Sequence, residues 1–161
     1  NVINKAKGNS HSLSLDLYDQ WESMGKNKQW RFTPPTHVLA AFEQSLKEHS
    51  IEGGVEGRYK RYSENCKIIC EGMKQMGFKQ LLSDNFQAPI IITFMQPDDP
   101  SFIFNQFYNK LSEKGFLIYP GKLTVANTFR IGCIGHLNSN DMHDAIKAIK
   151  ETVSELNIRL N

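Results

Sequence analysis

The stretch "NTFRIGCIGHL", Asn127–Leu137, places an arginine inside a short apolar pattern that is typical of a β-strand. Side chains of an extended chain alternate between two faces, so Phe129 and Ile131 share one face while Thr128 and Arg130 share the other. The apolar pair predicts a face buried in a core. Arg130 therefore lies either on a solvated strand face, where surface ion pairs contribute little, or in a site that binds an anion.

The sequence around this stretch predicts a small sheet accompanied by helices. Four short apolar runs are bounded by Gly, Pro, Asn or Asp, as strands are: "FKQLL", "APIIITFM", "GFLIYP" and "FRIGCIG". Two helical patterns interleave with them. One begins at Asp99–Pro100, with Asp99 as the expected N-cap, and the other begins near Asn138–Ser139. This order predicts an α+β fold with a mostly antiparallel sheet of about four strands and helices on one face.

In the half of the chain before Gly77, the sequence predicts mainly helices. The segment "SLSLDLY", residues 12–18, alternates strictly between leucine and other residues and predicts a half-buried strand. Residues 19–37 contain glycine, asparagine and a proline pair, so an irregular segment is expected. The spacing of apolar residues then predicts helices over Thr36–Ser50 and from about Val55 to Met76, the second ended by Gly77.

Composition and charge exclude several classes of protein. The 161 residues are 40% hydrophobic and 22% charged with a formal net charge of +2, which is typical of a soluble globular chain without general affinity for nucleic acid or an acidic membrane. No apolar run approaches the roughly 18 residues of a membrane span. Three cysteines, an odd number, are typical of a reducing compartment, and we expect a cytoplasmic location.

The remaining chemical motifs are weak. Cys66 and Cys70 are four residues apart on a predicted helix, but no histidine stands nearby at ligand spacing, so we interpret them as packing residues. His136 and His143 flank a predicted helix start, and no metal site is predicted there. The segments "GKNK" and "GVEG" lack the glycine and lysine spacing of a phosphate-binding loop.

Five segments resemble one enzyme family, in the same order and at the same separations: "GNSHSLSLDLYDQWE", "KQWRFTPPTH", "EGGVEGRYKRYSEN", "GFLIYPGKLT" and "FRIGCIG". They are similar to the C-terminal part of the 2-aminoethylphosphonate–pyruvate transaminases, fold-type I aminotransferases that use pyridoxal 5′-phosphate. The resemblance covers essentially the whole chain. It implies a homodimer that moves the amino group of 2-aminoethylphosphonate to pyruvate, giving phosphonoacetaldehyde and alanine.

The resemblance also implies which parts of such a site this chain holds. The family's Schiff-base lysine lies upstream of Asn1, so no catalytic residue is assigned here, and the chain alone is expected to be inactive and without bound cofactor. Arg130 corresponds to the arginine that receives the anionic end of the substrate. Thr33 corresponds to the residue that hydrogen-bonds the cofactor phosphate from the neighbouring subunit. Arg31, in the same loop, could add a contact to a phosphate or phosphonate, but an arginine on an exposed loop is usually solvated, and we interpret it so.

The expected domain organisation follows from the same resemblance. Residues 1–52 are predicted to be the C-terminal remnant of the large domain that binds pyridoxal 5′-phosphate, residues 53–77 a long linking helix, and residues 78–161 the small C-terminal domain. Such a remnant exposes apolar side chains that a complete domain covers. We expect this of Leu13, Leu15, Leu17, Trp21 and Trp30.

Two alternative functions stay open at this stage. Related aminotransferases of the alanine–glyoxylate or serine–pyruvate type carry a similar arginine on a similar strand, so the chain could be a fragment of that type. A non-catalytic α+β module that binds a ligand is the second alternative. The assignment to the phosphonate substrate depends on "SLSLDLYDQWE" and "WRFTPPTH" together.

Overall fold

The computed structural model describes residues 2–121 and 126–160, and the chain divides into two compact units, Asn1–Glu48 and His49–Asn161. The end of the quoted segment "GFLIYPGKLT", residues 122–125, lies outside the described residues. The elements are, in chain order, α1 Val2–Lys5, α2 Leu17–Asn27, α3 Thr36–Ile51, α4 Gly54–Met76, a 3₁₀ turn Asp84–Phe86, β1 Ile91–Met95, α5 Phe104–Glu113, β2 Tyr119–Pro120, β3 Thr128–Gly132 and α6 Ser139–Glu155. The predicted domain boundaries at residues 52 and 77 stay predictions.

The predicted strand over residues 12–18 is wrong, because helix α2 begins inside it. Asp16 caps this helix, and its carboxylate accepts a hydrogen bond of 3.0 Å from the Asp19 N–H. The hydroxyl of Ser12 similarly accepts a hydrogen bond of 3.2 Å from the Leu15 N–H. Short polar side chains that bond nearby backbone groups compete with strand pairing. Here they produce a turn followed by a helix.

The segment 19–37, predicted to be irregular, is helical over its first half. Helix α2 runs through Gly25 and ends at Asn27, although glycine inside a helix costs roughly 1 kcal/mol relative to alanine. Lys28 closes the helix in the left-handed conformation, and its N–H donates to the Met24 carbonyl at 3.1 Å. The following helix α3 starts where the sequence predicts it, directly after the proline pair.

Helix α4, Gly54–Met76, confirms the long predicted helix and its end. Gly77 has a φ of 101°, a conformation that favours glycine, and its N–H donates to the last carbonyls of the helix. The buried face follows helical spacing through Cys66, Ile69 and Met73. It packs mainly against α6, and the two helices together cover the sheet.

The sheet of the second unit is antiparallel, with three strands among the described residues in the order β1-β3-β2. The fourth predicted strand, "FKQLL", appears as a single antiparallel bridge between Gln80 and Phe94. Two backbone hydrogen bonds support that bridge, from Leu81 N–H to the Thr93 carbonyl and from Met95 N–H to the Lys79 carbonyl. The α+β fold with a small, mostly antiparallel sheet is thereby confirmed.

The predicted start of the helix after β1 is wrong by four residues. Helix α5 begins at Phe104, and Asp99 caps a preceding turn instead: its carboxylate accepts hydrogen bonds of 2.7 Å from the Ser101 N–H and 2.6 Å from the Arg159 N–H. This carboxylate is thus shared with the C-terminal segment, which sequence spacing does not reveal. The start of α6 is confirmed, because Asn138 and Asp141 form a reciprocal capping box.

The core of the second unit lies on one face of the sheet. Aromatic rings dominate it, and Phe129 stands at their centre with ring centroids 5.7 Å from both Phe94 and Phe107. The fully buried residues Ile69, Met73, Leu111 and Ile149 bring the three helices α4, α5 and α6 onto this cluster. Side chains that alternate with these core residues along the strands, among them Arg130, consequently lie on the opposite face of the sheet.

The first unit leaves much of its apolar surface uncovered in this chain. Leu13, Leu15 and Leu17 are each about three-quarters exposed, and Trp21 and Trp30 are about half exposed, which confirms the predicted exposure. The apolar stripe of α3 is exposed as well, through Val38, Leu39, Phe42 and Leu46.

Candidate functional site

Arg130 lies in the central strand β3, on the sheet face opposite the aromatic core. Its neighbours along the strand, Phe129 and Ile131, are buried, whereas Arg130 is partly exposed. Across the sheet, Arg130 pairs with Thr93 of β1 on one side and Tyr119 of β2 on the other. The strand alternation expected from the sequence therefore holds, and it directs the guanidinium away from the core.

The guanidinium of Arg130 is oriented by strand β2. Its Nε donates a hydrogen bond of 3.3 Å to the Pro120 carbonyl, and its central carbon lies 6.0 Å from the centre of the Tyr119 ring. Among residues 2–121 and 126–160, no carboxylate pairs with it and its two terminal nitrogens have no hydrogen-bond partner. Terminal guanidinium nitrogens form a planar fork that matches a carboxylate, phosphate or phosphonate.

Two glycines shape the surroundings of this arginine. At Gly121 an added Cβ would lie 2.0 Å from Oγ1 of Thr128, so only glycine allows β2 to pass so closely to β3. At Gly132, on the same face as Arg130, an added Cβ meets no atom within 4 Å. The space next to the arginine is open, as a ligand would require.

A loop directly after β3 is fixed by side chains of α4. Asn65, fully buried, donates from Nδ2 to the carbonyls of Cys133 and Leu137, both at 3.1 Å. Arg61 donates from Nη1 to the carbonyls of Gly135 at 2.6 Å and Leu137 at 2.8 Å. We call residues 133–137 the β3–α6 loop. These bonds hold the end of the strand that carries Arg130.

Glu52 completes this arrangement by binding two arginines. Its carboxylate accepts from Nε of Arg61 at 2.6 Å and from Nε of Arg58 at 2.5 Å. The hydrogen bond with Arg61 is the largest cause that lowers the pKa of Glu52, from 4.5 to about 2; burial opposes it, and the hydrogen bond with Arg58 and the charges of both arginines lower the pKa further. The carboxylate is therefore charged throughout the physiological range and keeps Arg61 aimed at the loop.

Comparison with known proteins shows extensive sequence similarity. The chain is 47% identical over 154 residues to a 2-aminoethylphosphonate–pyruvate transaminase of Pseudomonas fluorescens, covering 96% of this chain and 42% of the relative. It is 49% identical over 156 residues to that of Rhizobium meliloti, covering 97% of this chain and 41% of the relative. The resemblance seen in the sequence is confirmed. The chain spans about two-fifths of the length of these curated relatives, and no family model matches it.

Solved structures show the same fold. The chain superimposes on the alanine–glyoxylate aminotransferase of Nostoc sp. with a TM-score of 0.74 at 16% identity, over 89% of this chain and 39% of that one. The pyridoxamine–pyruvate aminotransferase of Mesorhizobium loti gives a TM-score of 0.73 at 20% identity, over 88% of this chain and 37% of that one. At such identities the likeness concerns the fold alone: the chain folds like a little over a third of each of these two proteins.

Thr33 lies in the first unit, in the irregular segment between α2 and α3. It is exposed, and within the described part of the chain its hydroxyl makes no hydrogen bond. The proline pair that follows restricts the backbone next to it. The interpretation of Arg31 as solvated is wrong: its side chain is 17% exposed, lies 3.6 Å from Asp19, and packs over the ring of Phe32. Thr33 and Arg130 belong to different units.

Sequence reasoning missed the side chains that fix the β3–α6 loop. Arg58, Arg61 and Asn65 stand at spacings of three and four in "GRYKRYSEN", which places them on one helix face. That spacing was available from the sequence, but the carbonyls that Arg61 and Asn65 bind lie 68 to 76 residues later in the chain. No pattern of the sequence identifies those acceptors.

The described residues contain neither a cluster of metal ligands nor a membrane-spanning helix. Among residues 2–121 and 126–160, no group of three or more His, Cys, Asp or Glu side chains is placed to hold a metal ion. None of the described helices has the length and apolar character required to cross a bilayer.

Proposed function

We propose that this chain is part of an aminotransferase dependent on pyridoxal 5′-phosphate that transfers the amino group of 2-aminoethylphosphonate to pyruvate, with phosphonoacetaldehyde and alanine as products. The observation that carries the proposal is the Arg130 guanidinium, which lies on the open sheet face without a carboxylate among the described residues. Relatives 47% and 49% identical, named for this reaction, support the choice of substrates.

Arg130 is the anion-binding group in this proposal. Its terminal nitrogens receive the phosphonate of the amino donor in one half-reaction and the carboxylate of pyruvate in the other. The Nε bond to the Pro120 carbonyl fixes the plane of the fork, so little orientational freedom is lost when the anion binds. Open space at Gly132 leaves room for the body of the substrate.

Residues of this chain also fit one edge of a cofactor site. Thr33 offers an exposed hydroxyl that has no partner among the described residues, and hydroxyl groups are common donors to phosphate. We assign it to the cofactor phosphate bound in the neighbouring subunit of a homodimer. When bound, pyridoxal 5′-phosphate supplies the carbonyl group that takes up the amino group and later returns it.

The proposal assigns the catalytic lysine to a part of the protein outside this sequence. The 161 residues alone are then inactive and hold no cofactor, although they contain Arg130, the arginine that binds the anionic group of the substrate. We also propose a cytoplasmic location, with which three free cysteines agree.

An assay of the complete protein tests the function. Purified protein with added pyridoxal 5′-phosphate is incubated with 2-aminoethylphosphonate, alanine or serine as amino donor and with pyruvate or glyoxylate as acceptor. We expect alanine to form fastest from 2-aminoethylphosphonate and pyruvate. A preference for alanine and glyoxylate, or for serine and pyruvate, would identify the alternative type of aminotransferase, and no transfer with any pair would favour a non-catalytic module.

A further inference from the structure

Three cysteines form a thiol cluster in the second unit. Cys66 and Cys70 lie one helical turn apart on α4 with their sulfur atoms 3.8 Å from each other. Cys133, from the residue directly after β3, contacts the same Cys66 sulfur from the sheet side. We call Cys66, Cys70 and Cys133 the thiol cluster. Cys66 therefore has one thiol on each side of its sulfur.

A pocket of about 280 Å³ connects two of these thiols with solvent. Cys66 and Cys70 both line it, whereas Cys133 does not and is fully buried. Ser63, one helical turn before Cys66, also lines the pocket, and its buried hydroxyl oxygen has no hydrogen-bond partner among the described residues. The pocket is thus roomy enough for a small polar molecule and offers it an unused hydroxyl.

We propose that Cys66 and Cys70 form a reactive dithiol site, reached through this pocket, in which Cys66 reduces a hydroperoxide and Cys70 then closes a disulfide with it. This site is separate from the Arg130 face and does not depend on the proposed transaminase function.

The chemical roles of the two thiols differ because their surroundings differ. The S–H groups of Cys133 and Cys70 can both donate to the Cys66 sulfur, which lowers the pKa of Cys66 and favours its thiolate, the nucleophilic form. The hydrogen bond to Cys66, burial and the nearby carboxylate of Asp84 raise the pKa of Cys70. Cys70 therefore stays protonated while Cys66 attacks. The amide of Gln80 donates to the Cys70 sulfur at 3.3 Å and keeps it beside Cys66.

The reaction balances in two steps. The Cys66 thiolate attacks the terminal O–H oxygen of the hydroperoxide, an S–O bond forms, the O–O bond breaks, and the departing oxygen takes a proton from water and leaves as an alcohol or water. Cys66 is oxidised by two electrons to the sulfenic acid, and the hydroperoxide is reduced. The Cys70 thiol then attacks the Cys66 sulfur, an S–S bond forms, and hydroxide leaves with the Cys70 proton as water.

Helix geometry permits this disulfide but strains it. Residues four apart on a helix have Cα atoms about 6 Å from each other, inside the roughly 4.4–6.8 Å that disulfides span. Their Cβ atoms, about 5–6 Å apart, must come closer, so one turn of α4 loosens when the bond closes. A strained disulfide is readily reduced again, and we expect a thiol reductant to restore both cysteines.

Peptide mass spectrometry of the complete protein tests the site with hydrogen peroxide as the probe. In the wild type we expect the peptide with Cys66 and Cys70 to lose two hydrogen atoms. In Cys70→Ser we expect the sulfenic acid to persist on Cys66 and to be labelled by dimedone. In Cys66→Ser we expect oxidation of Cys70 to be at least about tenfold slower than that of Cys66 in the wild type.

Glu64→Gln, an exposed position on the same helix that does not line the pocket, serves as the matched control. We expect its rate of disulfide formation to stay within about twofold of the wild type, and thermal unfolding of every variant verifies that it is folded. The proposal is overturned if peroxide joins Cys66 to Cys133, if Cys66→Ser oxidises as fast as the wild type, or if Cys66 reacts no faster in the native protein than after unfolding in denaturant.

Discussion

The carboxylate of Glu52 and the guanidinium of Arg61 are joined by a hydrogen bond of 2.6 Å, nine residues apart in the chain. The same guanidinium also donates to two carbonyls of the β3–α6 loop. One carboxylate thus orients the arginine that fixes the end of the strand carrying Arg130. The charge on the Glu52 carboxylate therefore affects the stability of the second unit.

In Glu52→Gln, the free energy of unfolding is expected to depend less on pH under acidic conditions than it does in the wild type. Since the folded-state pKa of Glu52 is lowered from 4.5 to about 2, the stabilising contribution of the carboxylate is complete above about pH 4.5 and is lost as the pH falls toward about 2. The difference in unfolding free energy between wild type and Glu52→Gln should be largest near neutral pH and shrink across that window. Denaturant unfolding at several pH values measures it. Glu64→Gln, which changes an exposed carboxylate on α4, is the control and should follow the wild type.

Asn65→Ala is expected to destabilise the protein by about 2–4 kcal/mol of unfolding free energy. The substitution removes a fully buried donor and leaves the Cys133 carbonyl without its side-chain partner, whereas the Leu137 carbonyl keeps the hydrogen bond from Arg61. A buried acceptor left without a donor is costly. Denaturant unfolding gives the value. Glu64→Ala, the exposed neighbour, should change stability by less than about 0.5 kcal/mol. Equal stability of the two variants would contradict the role given to Asn65.

The sequence predicts best what depends on neighbouring residues. The alternation at Phe129, Arg130 and Ile131, the glycine that ends α4, and the cap of α6 at Asn138 are all local, and the structure has each of them. The strand predicted at residues 12–18 is a turn and a helix start because leucine alternation suggests a partner strand, whereas nearby hydroxyl and carboxylate groups bond the backbone first. The spacing of residues in the sequence does not show whether the leucines pair with another strand or the polar side chains bond the nearby backbone.

Long-range partners account for the rest of what was missed. Asp99 has every sequence feature of a helix N-cap, yet one of its oxygens binds the Arg159 N–H, sixty residues later. Arg61 and Asn65 similarly bind carbonyls of the β3–α6 loop. At the candidate site, the family resemblance proposes Arg130 and Thr33, and that proposal stays a prediction; the loop contacts depend on tertiary packing that no spacing rule contains.

Asp99→Ala is expected to release the C-terminal segment. The hydrogen bonds from the Ser101 and Arg159 N–H groups lower the pKa of Asp99, so the charged carboxylate is the form that the fold prefers. Without it, the amide hydrogen of Arg159 should exchange with solvent faster while the amides inside α4 keep their protection. Hydrogen exchange followed by NMR measures this. Asp98→Ala changes the exposed neighbouring carboxylate and should leave the Arg159 amide protected, and unchanged exchange in Asp99→Ala would contradict the assignment.

Thr33→Ala in the complete protein is expected to weaken binding of pyridoxal 5′-phosphate by about tenfold or more, because a hydrogen bond to a charged phosphate contributes roughly 1.5–3 kcal/mol. Thr33→Ser keeps the hydroxyl and should bind the cofactor nearly as the wild type does. The measurement is the dissociation constant from cofactor titration after removal of the bound cofactor. If alanine and serine variants bind equally well, the hydroxyl of Thr33 does not hold the phosphate.

Arg130→Ala in the complete protein is expected to raise KM for both 2-aminoethylphosphonate and pyruvate, because one anion site serves both half-reactions. Losing a charged, two-point contact should cost roughly 2–5 kcal/mol in kcat/KM. Arg130→Lys keeps the positive charge but not the planar fork, so its loss of kcat/KM should be intermediate.

Arg159→Ala, which removes an exposed arginine of the C-terminal segment, is the control and should leave kcat/KM within about 1 kcal/mol of the wild type. The side chain of Arg130 is partly exposed and has no ion pair among the described residues, so the fold itself should tolerate both changes and unfolding midpoints should stay close to that of the wild type. An Arg130→Ala enzyme with wild-type kcat/KM for both substrates would reduce Arg130 to an ordinary surface side chain and remove the observation on which the proposed anion site depends.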